Sequence, residues 1–332
     1  MTADAAASGR FSPPPAGDAG FCLAHLSDPH LAEPLPLTAT DLVRKRLIGY
    51  LSWSLKRRHI HRADVLAALA ADLRAQAPDH VAVTGDIVNI SLASEFAAAA
   101  AWFASLGPPE RVSVIPGNHD AYVRLPWQRS WASWLPYMRS DDGRTAAGRA
   151  ETAGPAFPFV RRRGPLAIIG LTTAVATPPG FATGTLGSRQ LAAAEAALAR
   201  LAADGLFRVV LIHHPPIAAP GHYLKRLVDA GAFRAMLGRV GAELVLHGHD
   251  HRRRLYALPG ADGAIPVIGA ASASALPVDG HPPAEYHLCR IARADDGWRL
   301  DLRVRGIDAA LGFREVATQL IEIRRTAGAA GG

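Results

Sequence analysis

The 332-residue chain holds two cysteines, three methionines and, beside abundant arginine, only three lysines: Lys45, Lys56 and Lys225. Cys22 and Cys289 each sit in an apolar, strand-like run, which makes neither a disulfide framework nor a zinc spacing and points to a reducing compartment. No window reaches about 18 uninterrupted apolar residues, so no transmembrane helix is expected. The opening MTADAAASGRFSPPPAGDAG lacks a basic start and an apolar stretch, so it reads as a disordered tail over residues 1–20, not a signal peptide. A long basic stripe is also missing, and no nucleic-acid polymer is expected as a partner. These absences place the protein in the cytoplasm, with attachment to the inner face of the membrane as a variant taken up below.

What is present begins with an apolar half and a net charge of +7. Arginine suits bidentate contact with phosphate, although a high-Arg, high-Ala codon bias explains the same excess equally well. Short Val/Ile/Leu runs recur at Phe21–Ser27, His80–Thr84, Val112–Ile115, Leu166–Leu171, Val209–Ile212 and Leu244–Leu246. Between them lie helix-length amphipathic stretches at Ala63–Gln76, Ser91–Ser105, Ser188–Ala203 and Leu224–Val240. The alternation predicts an α/β domain over 21–324 with doubly covered strands, followed by a short flexible tail at 325–332. After Gly263 helices cease, and the strands Ile265–Ala270, Tyr286–Ala292 and Trp298–Val304 predict a mixed or antiparallel part. Two stretches, 41–62 and 121–165, fit no strand–helix unit and read as insertions.

The informative residues follow the strands. After the first comes Asp28-Pro29-His30, after the second Gly85-Asp86, and after the third Gly117-Asn118-His119-Asp120. His213-His214-Pro215-Pro216 and His247-Gly248-His249-Asp250-His251 follow two later strands. Ligands of open α/β sheets bind outside the carboxyl ends of the strands, so five strand ends deliver polar residues to one rim. Carboxylate, amide oxygen and imidazole without thiolate suit Mn, Fe or Zn. The candidates are too many for one ion and divide into two sites if a carboxylate bridges.

In this order, Asp-x-His, Gly-Asp, Gly-Asn-His-Asp, His-x-Pro and Gly-His-x-His resemble the calcineurin-like metallophosphoesterase superfamily. The motifs span 28–251, and their form is most similar to bacterial members of the class III cyclic-nucleotide phosphodiesterase type. The resemblance implies a four-layer α/β/β/α sandwich of two mixed sheets, and two divalent transition-metal ions bridged by Asp86 and a hydroxide. It implies Asp28, His30 and His251 at the first metal, and Asn118, His213 and His249 at the second. It gives His119 the tasks of contacting phosphate and protonating the leaving oxygen, with Asp120 tuning or orienting it. His214 would stand behind His213 or face the substrate. The implied reaction is hydrolysis of a small, nucleotide-type phosphodiester by attack of the bridging hydroxide. A non-catalytic scaffold of the same fold would be expected to have lost some of these residues, and this chain keeps them all.

Substrate choice is expected in the insertions. Residues 41–62 place Val43, Leu47, Leu51 and Leu55 four apart, with Arg44, Lys45, Arg46, Lys56, Arg57 and Arg58 at the two ends. One reading is a cap or dimer helix beside the site, the latter implying a homodimer. The other is a basic amphipathic helix on an anionic membrane. On that second reading the substrate becomes a nucleotide-sugar lipid, as for metallophosphoesterases cleaving UDP-diacylglucosamine. Trp127, Trp131 and Trp134 fall on one helical face, either packed on the core or forming an aromatic wall for a base. Arg252–Arg254 read as a solvated loop in preference to a phosphate clamp, and His247 as a strand-end residue behind the ligands.

Overall fold

Uninterrupted β-branched and aliphatic runs form strands where both faces can be covered; they supply the central strands here, and among the described residues twelve strands divide into two six-stranded sheets. The computed structural model describes residues 20–31, 45–143, 156–278 and 280–324. The two tails (residue 20 apart) and parts of both insertions (41–44 and 144–155) lie outside these residues. In the first sheet β1 (Phe21–Leu26) pairs in parallel with β2 (His80–Val83), which pairs in parallel with β3 (Val112–Val114). On its other side β1 meets the antiparallel meander β10 (Glu285–Ala294), β11 (Gly297–Ile307) and β12 (Phe313–Arg324). The second sheet runs β4 (Phe159–Arg163), β5 (Leu166–Gly170), β6 (Phe207–Leu211), β7 (Leu244–His247), β9 (Gly263–Gly269), β8 (Arg254–Gly260). Its centre is parallel and both edge strands are antiparallel.

The period-two alternation of side chains sorts each strand between layers. Val209 and Leu211 join the central core with Trp298 and Leu300 of the first sheet, and Phe207 meets Trp298 edge-on across the sandwich. Their neighbours Val210 and Ile212 face outward, onto Leu198 and Leu201 of α5 (Ser188–Ala203) and Phe233 and Leu237 of α6 (Ala230–Val240). Leu69 and Leu73 of α3 (Ala63–Gln76), with Phe96 and Phe103 of α4 (Ala93–Leu106), join the cluster of the first sheet. Each fully buried Leu, Ile or Phe contributes roughly 1.5–3 kcal/mol, so strands bearing such residues on both faces are rigid supports. At the start of β6, Arg208 grips Glu243 ahead of β7 through paired bonds of 2.9 Å, both residues being buried. That clamp sets the register of the two strands whose far ends carry His213 and His249. The result is the expected α/β/β/α sandwich.

Some elements depart from expectation. The helix expected from Leu224 starts at Ala230, because residues 226–228 run extended and bond to Gly184 from both sides. The end of the second insertion is strand β4, an arginine-rich edge held by Arg161, whose guanidinium meets the carbonyls of Arg139, Pro109, Val112 and Pro136. Strands β8 and β12 alternate too weakly in hydropathy to stand out in the sequence.

Candidate metal centre

Beyond the strands the chain leaves regular pairing but not order. The N–H groups of Asp28, His30 and Leu31 donate to the carbonyls of Gly85, Asp86 and Ile87, so the first two loops stay zipped, with a one-residue slip at Pro29. His119 N–H donates to Asp86 Oδ1 at 2.7 Å, tying in the third. Across the sandwich, His249 N–H donates to Asp28 Oδ2 at 3.0 Å and Gly248 N–H to the His213 carbonyl at 3.1 Å. A side chain at Gly248 would collide with Ser27 and the Asp28 carboxylate, so only glycine permits this approach. Asp28, His30, Asp86, His249 and His251 all have positive φ, five of the eight non-glycine residues that do among the described residues. Such backbone is costly and persists where surrounding bonds over-determine it.

These loops bring the sequence-picked residues into two groups. Asp28, His30, Asp86 and His251 present ligand-type atoms within 4.8 Å of one another, and so do Asp86, His213 and His249. Asp86 belongs to both. Within the first, His30 Nε2 and His251 Nε2 lie 3.2 Å apart, and Asp28 Oδ1 is 3.2 Å from the latter. In the second, the Asn118 amide oxygen is 2.8 Å from His249 Nδ1 and 3.1 Å from His213 Nε2. Convergent lone-pair atoms in a buried site are what a cation satisfies, and the buried Asp28 Oδ1 has no hydrogen-bond donor of its own. Outer bonds set the tautomers. His213 Nδ1–H donates to the Thr84 carbonyl and His249 Nε2–H to that of Lys225, so His213 Nε2 and His249 Nδ1 are the nitrogens turned inward. The donor set fits two divalent ions.

The field points the same way. Burial opposes ionisation of Asp86, yet His213 and His119 outweigh it and hold its carboxyl well below the usual range. Burial likewise opposes protonation of His213, and the Asp86 charge lifts its pKa to about 9 regardless. The site therefore attracts positive charge where the second group converges.

His119 is at the rim, but its surroundings differ from expectation. Its Nδ1–H donates to the Asn89 carbonyl at 2.7 Å, Tyr122 stacks on the ring, and Arg57 Nη1 lies 3.3 Å from Nε2. Burial first, then Arg57, bring its pKa down to about 4 against the pull of Asp86. Asp120 does not orient it. That carboxylate accepts the N–H groups of Ile87, Val88 and Gly117 and pins one ligand loop to another. His214 does not face the substrate either. Its Nδ1 accepts from the Thr173 hydroxyl, its Nε2–H donates to the Ala182 carbonyl, and its ring packs 4.3 Å from His249. It buttresses a candidate ligand.

The insertions are corrected in detail. The first is not one continuous helix: α1 (Lys45–Ser52) passes into a π-helical turn, Trp53–Arg57, and then α2 (Arg58–Ile60). Gly49 rests against Tyr122 and Ile90, so Lys45, Ser52 and Arg57 line a cavity of about 530 Å³ that opens on Asp86 and His119. Val43 lies outside the described residues. Leu47, Leu51 and Leu55 are 42%, 50% and 78% exposed and do not touch the core. The tryptophans occupy two 3-10 turns, not one helix face, and none lines this cavity. Trp134 is buried against Phe96 and Phe103. Arg254 pairs with Asp250 at 3.0 Å and Arg253 with Glu285 at 3.5 Å, whereas Arg252 lines the cavity. His247 is buried behind the rim, under Gly269.

Two neighbours of the site went unread in the sequence. His61, whose ring lies 4.5 Å from His30, is held by Ser272 and Ser274, and with His30 and His251 it forms a third close group. Arg57 was visible only as one of a basic run. Neither occupies a strand end, which was the signal that found the others.

The calcineurin-like phosphoesterase family model matches residues 23–253. Among solved structures, a dimetal phosphatase from Danio rerio is similar at TM-score 0.61 and 14% identity, covering 92% of this chain and 99% of that one. Purple acid phosphatase PPD1 from yellow lupin (Lupinus luteus) is similar at TM-score 0.54 and 15% identity, with 93% of this chain and 55% of that one covered. A search of curated protein sequences finds no match. No described helix is long and apolar enough to cross a membrane.

Proposed function

The chain belongs to the calcineurin-like phosphoesterase family and is a phosphoester hydrolase; on that premise we propose that it is a dinuclear phosphodiesterase for a small, nucleotide-type diester. The observation that carries the reading is Asp86, shared by two convergent groups of ligand-type atoms. Asp28, His30 and His251 would hold one divalent ion and Asn118, His213 and His249 the other, with Asp86 available to both. Ions so held supply Lewis acidity towards the phosphoryl group and lower the pKa of water. The chain supplies the rest. Thr84, Lys225 and the zipped loops hold the ligands in place, which limits reorganisation during reaction. His119, fixed at Nδ1 by Asn89, presents Nε2 to the departing oxygen; the charge of a bound phosphate favours the imidazolium that giving it a proton requires.

Mn-reconstituted protein should hold close to two ions per chain and hydrolyse bis-p-nitrophenyl phosphate without accumulating a phosphoenzyme. Retention of at most one ion by folded protein sinks the dinuclear assignment, and turnover of monoesters alone replaces phosphodiesterase with phosphatase. The exposed leucines of α1 favour one second reading: an amphiphilic nucleotide-sugar lipid cleaved at an anionic membrane surface.

A further inference from the structure

Arg57 is a half-buried cation at the catalytic cavity, and among the described residues it makes no ion pair. Its guanidinium sits 3.1 and 3.3 Å from the two ring nitrogens of His119, the residue assigned above to the leaving oxygen. The backbone places it there by an irregularity. A π-helical turn separates α1 from α2, so that Ser52 and Arg57, five residues apart, both line the cavity, where regular α-helical spacing would bring round a residue three or four on from Ser52. Such turns are uncommon and are frequent at functional sites. Lys225 and Arg252 line the same cavity. Of its two acids, Asp86 belongs to the candidate metal groups, and Asp250 is met by Arg254 at 3.0 Å and His222 at 3.4 Å.

We propose that Arg57 selects an organic diphosphate by binding the second phosphate, the one that leaves. The inference rests on the proposed hydrolase reading and narrows its substrate. A lone diester phosphate carries one negative charge, which two divalent ions already exceed. An alkoxide leaving group needs a proton, and a guanidinium has none to give at neutral pH. A phosphate leaving group needs none; it needs its growing charge met, which a planar fork of N–H donors does well. Water adds its oxygen to the attacked phosphorus while the P–O bond of the anhydride bridge breaks. The bridging oxygen departs with the electron pair on the second phosphate. One phosphate monoester and the second phosphate, esterified or free, result, and the protons of the water pass to the products and solvent.

The test uses Mn-loaded full-length protein, with Mn in excess, hydrolysing bis-p-nitrophenyl phosphate. α,β-Methylene-ADP and AMP are compared as competitive inhibitors. Wild type should bind the diphosphate analogue about 10- to 100-fold more tightly than AMP, the range for charge-assisted hydrogen bonds. Arg57→Ala should bring the two constants close together mainly by weakening the diphosphate analogue, and Arg57→Lys should restore part of the gap. Metal content and circular dichroism establish that each variant is folded and loaded. If Arg57→Ala cannot be loaded, the Arg57→Lys ratio decides, and no narrowing of the gap there overturns the proposal. A wild type that prefers AMP, or an equal loss for both inhibitors in Arg57→Ala, also overturns it and leaves the hydrolase standing. If bis-p-nitrophenyl phosphate is not turned over at all, the phosphodiesterase reading fails and takes this inference with it.

Discussion

The strand-end rim and helix α1 border the same cavity, yet they are built on opposite terms. At the rim nearly every ligand-type side chain is buried, and the backbone beneath it is bonded to a neighbouring loop. On α1 and the π-helical turn after it the apolar side chains Leu47, Ile48, Leu51 and Leu55 stand 42–78% exposed, and the helix is fastened by Gly49 and by Lys45 and Arg46 of its first turn, which bond Thr177 and the carbonyls of Ile90 and Ser91. Rigid support at the rim holds chemistry in one geometry, while a helix fastened at its first turn leaves its apolar face free to meet the rest of a substrate. The difference teaches that reaction type and substrate choice live in separate parts of this fold. Variants at each part should therefore fail differently.

The largest effect should come from Asp86, which the two sites share. Asp86→Ala should empty or badly weaken both, whereas His30→Ala should mainly affect one, as read by elemental analysis after dialysis. Hydrolysis should fall by more than the roughly 10²–10³ that one lost electrostatic donor costs. If Asp86→Ala still binds two ions, the rim is not organised as proposed. Next comes His119→Ala, which should keep both metals and lose roughly 10²–10⁴ in kcat on diesters with poor leaving groups. The loss should shrink for p-nitrophenolate, which barely needs a proton. An equal loss on both would remove the general-acid role and leave phosphate contact alone.

The contrast also explains what could be read in the sequence. Strand cores and the Asp, His and Asn residues after them are legible because a run of Val, Ile and Leu forces the next polar residue to the sheet rim. Asp28, His30, Asp86, Asn118, His213, His249 and His251 were found that way, and the structure brings them together. Asp120 was misassigned, and His214 was left between support and substrate contact, because their types suit catalysis as well as support. Only partners far along the chain, Ile87 and Val88 for one and Thr173 and Ala182 for the other, reveal the supporting role. Arg57 was hidden because helical periodicity cannot anticipate a π-helical turn. The tryptophan spacing misled in the same way, since 3-10 turns with Pro136 inside do not follow a 3.6-residue period.

Buried histidines away from the rim sharpen the comparison, because they are held neutral by packing with no ion to gain. His80, bonded to the Ser113 hydroxyl, and His287, beside His25, both have pKa values brought down to about 3, by burial first and nearby arginines second. The unfolded chain protonates them near 6.5, so between those values it binds more protons than the native state. Stability is thus full above about pH 6.5 and falls as pH drops towards 3, at most about 1.4 kcal/mol per unit for each residue. His80→Gln should show a shallower decline of Tm between pH 6.5 and 4. An unchanged slope would mean that His80 titrates normally in the folded protein.

A smaller loss is expected where the rim is supported from behind. His214→Ala removes the ring packed on His249 and leaves the Thr173 hydroxyl and Ala182 carbonyl without their partner. Metal affinity should drop roughly 10- to 100-fold, the range for groups that orient ligands. The loss should be confined to one of the two ions, and excess Mn should restore activity. Failure of Mn to rescue would mean that His214 meets the substrate after all.

The smallest effect on the folded protein belongs to α1, and there the substrate question opens. Leu51→Ser with Leu55→Ser removes two side chains that are 50% and 78% exposed. Stability should shift by no more than about 0.5 kcal/mol, as for surface positions generally. Turnover of bis-p-nitrophenyl phosphate should not change, since neither residue lines the cavity. If the exposed face meets a membrane, wild type will co-sediment with anionic liposomes and the double variant will not. Salt should weaken that attachment in so far as the arginines of this segment contribute. Substituting Lys56, Arg57 and Arg58 together would confuse the result, because Arg57 lines the cavity and its loss reaches the chemistry. Equal recovery of wild type in the supernatant with and without liposomes would reject the membrane and favour a cap or a dimer contact. Sedimentation velocity then separates those two: a dimer that the double variant dissociates marks the leucines as its seam, and a monomer leaves α1 as a cap.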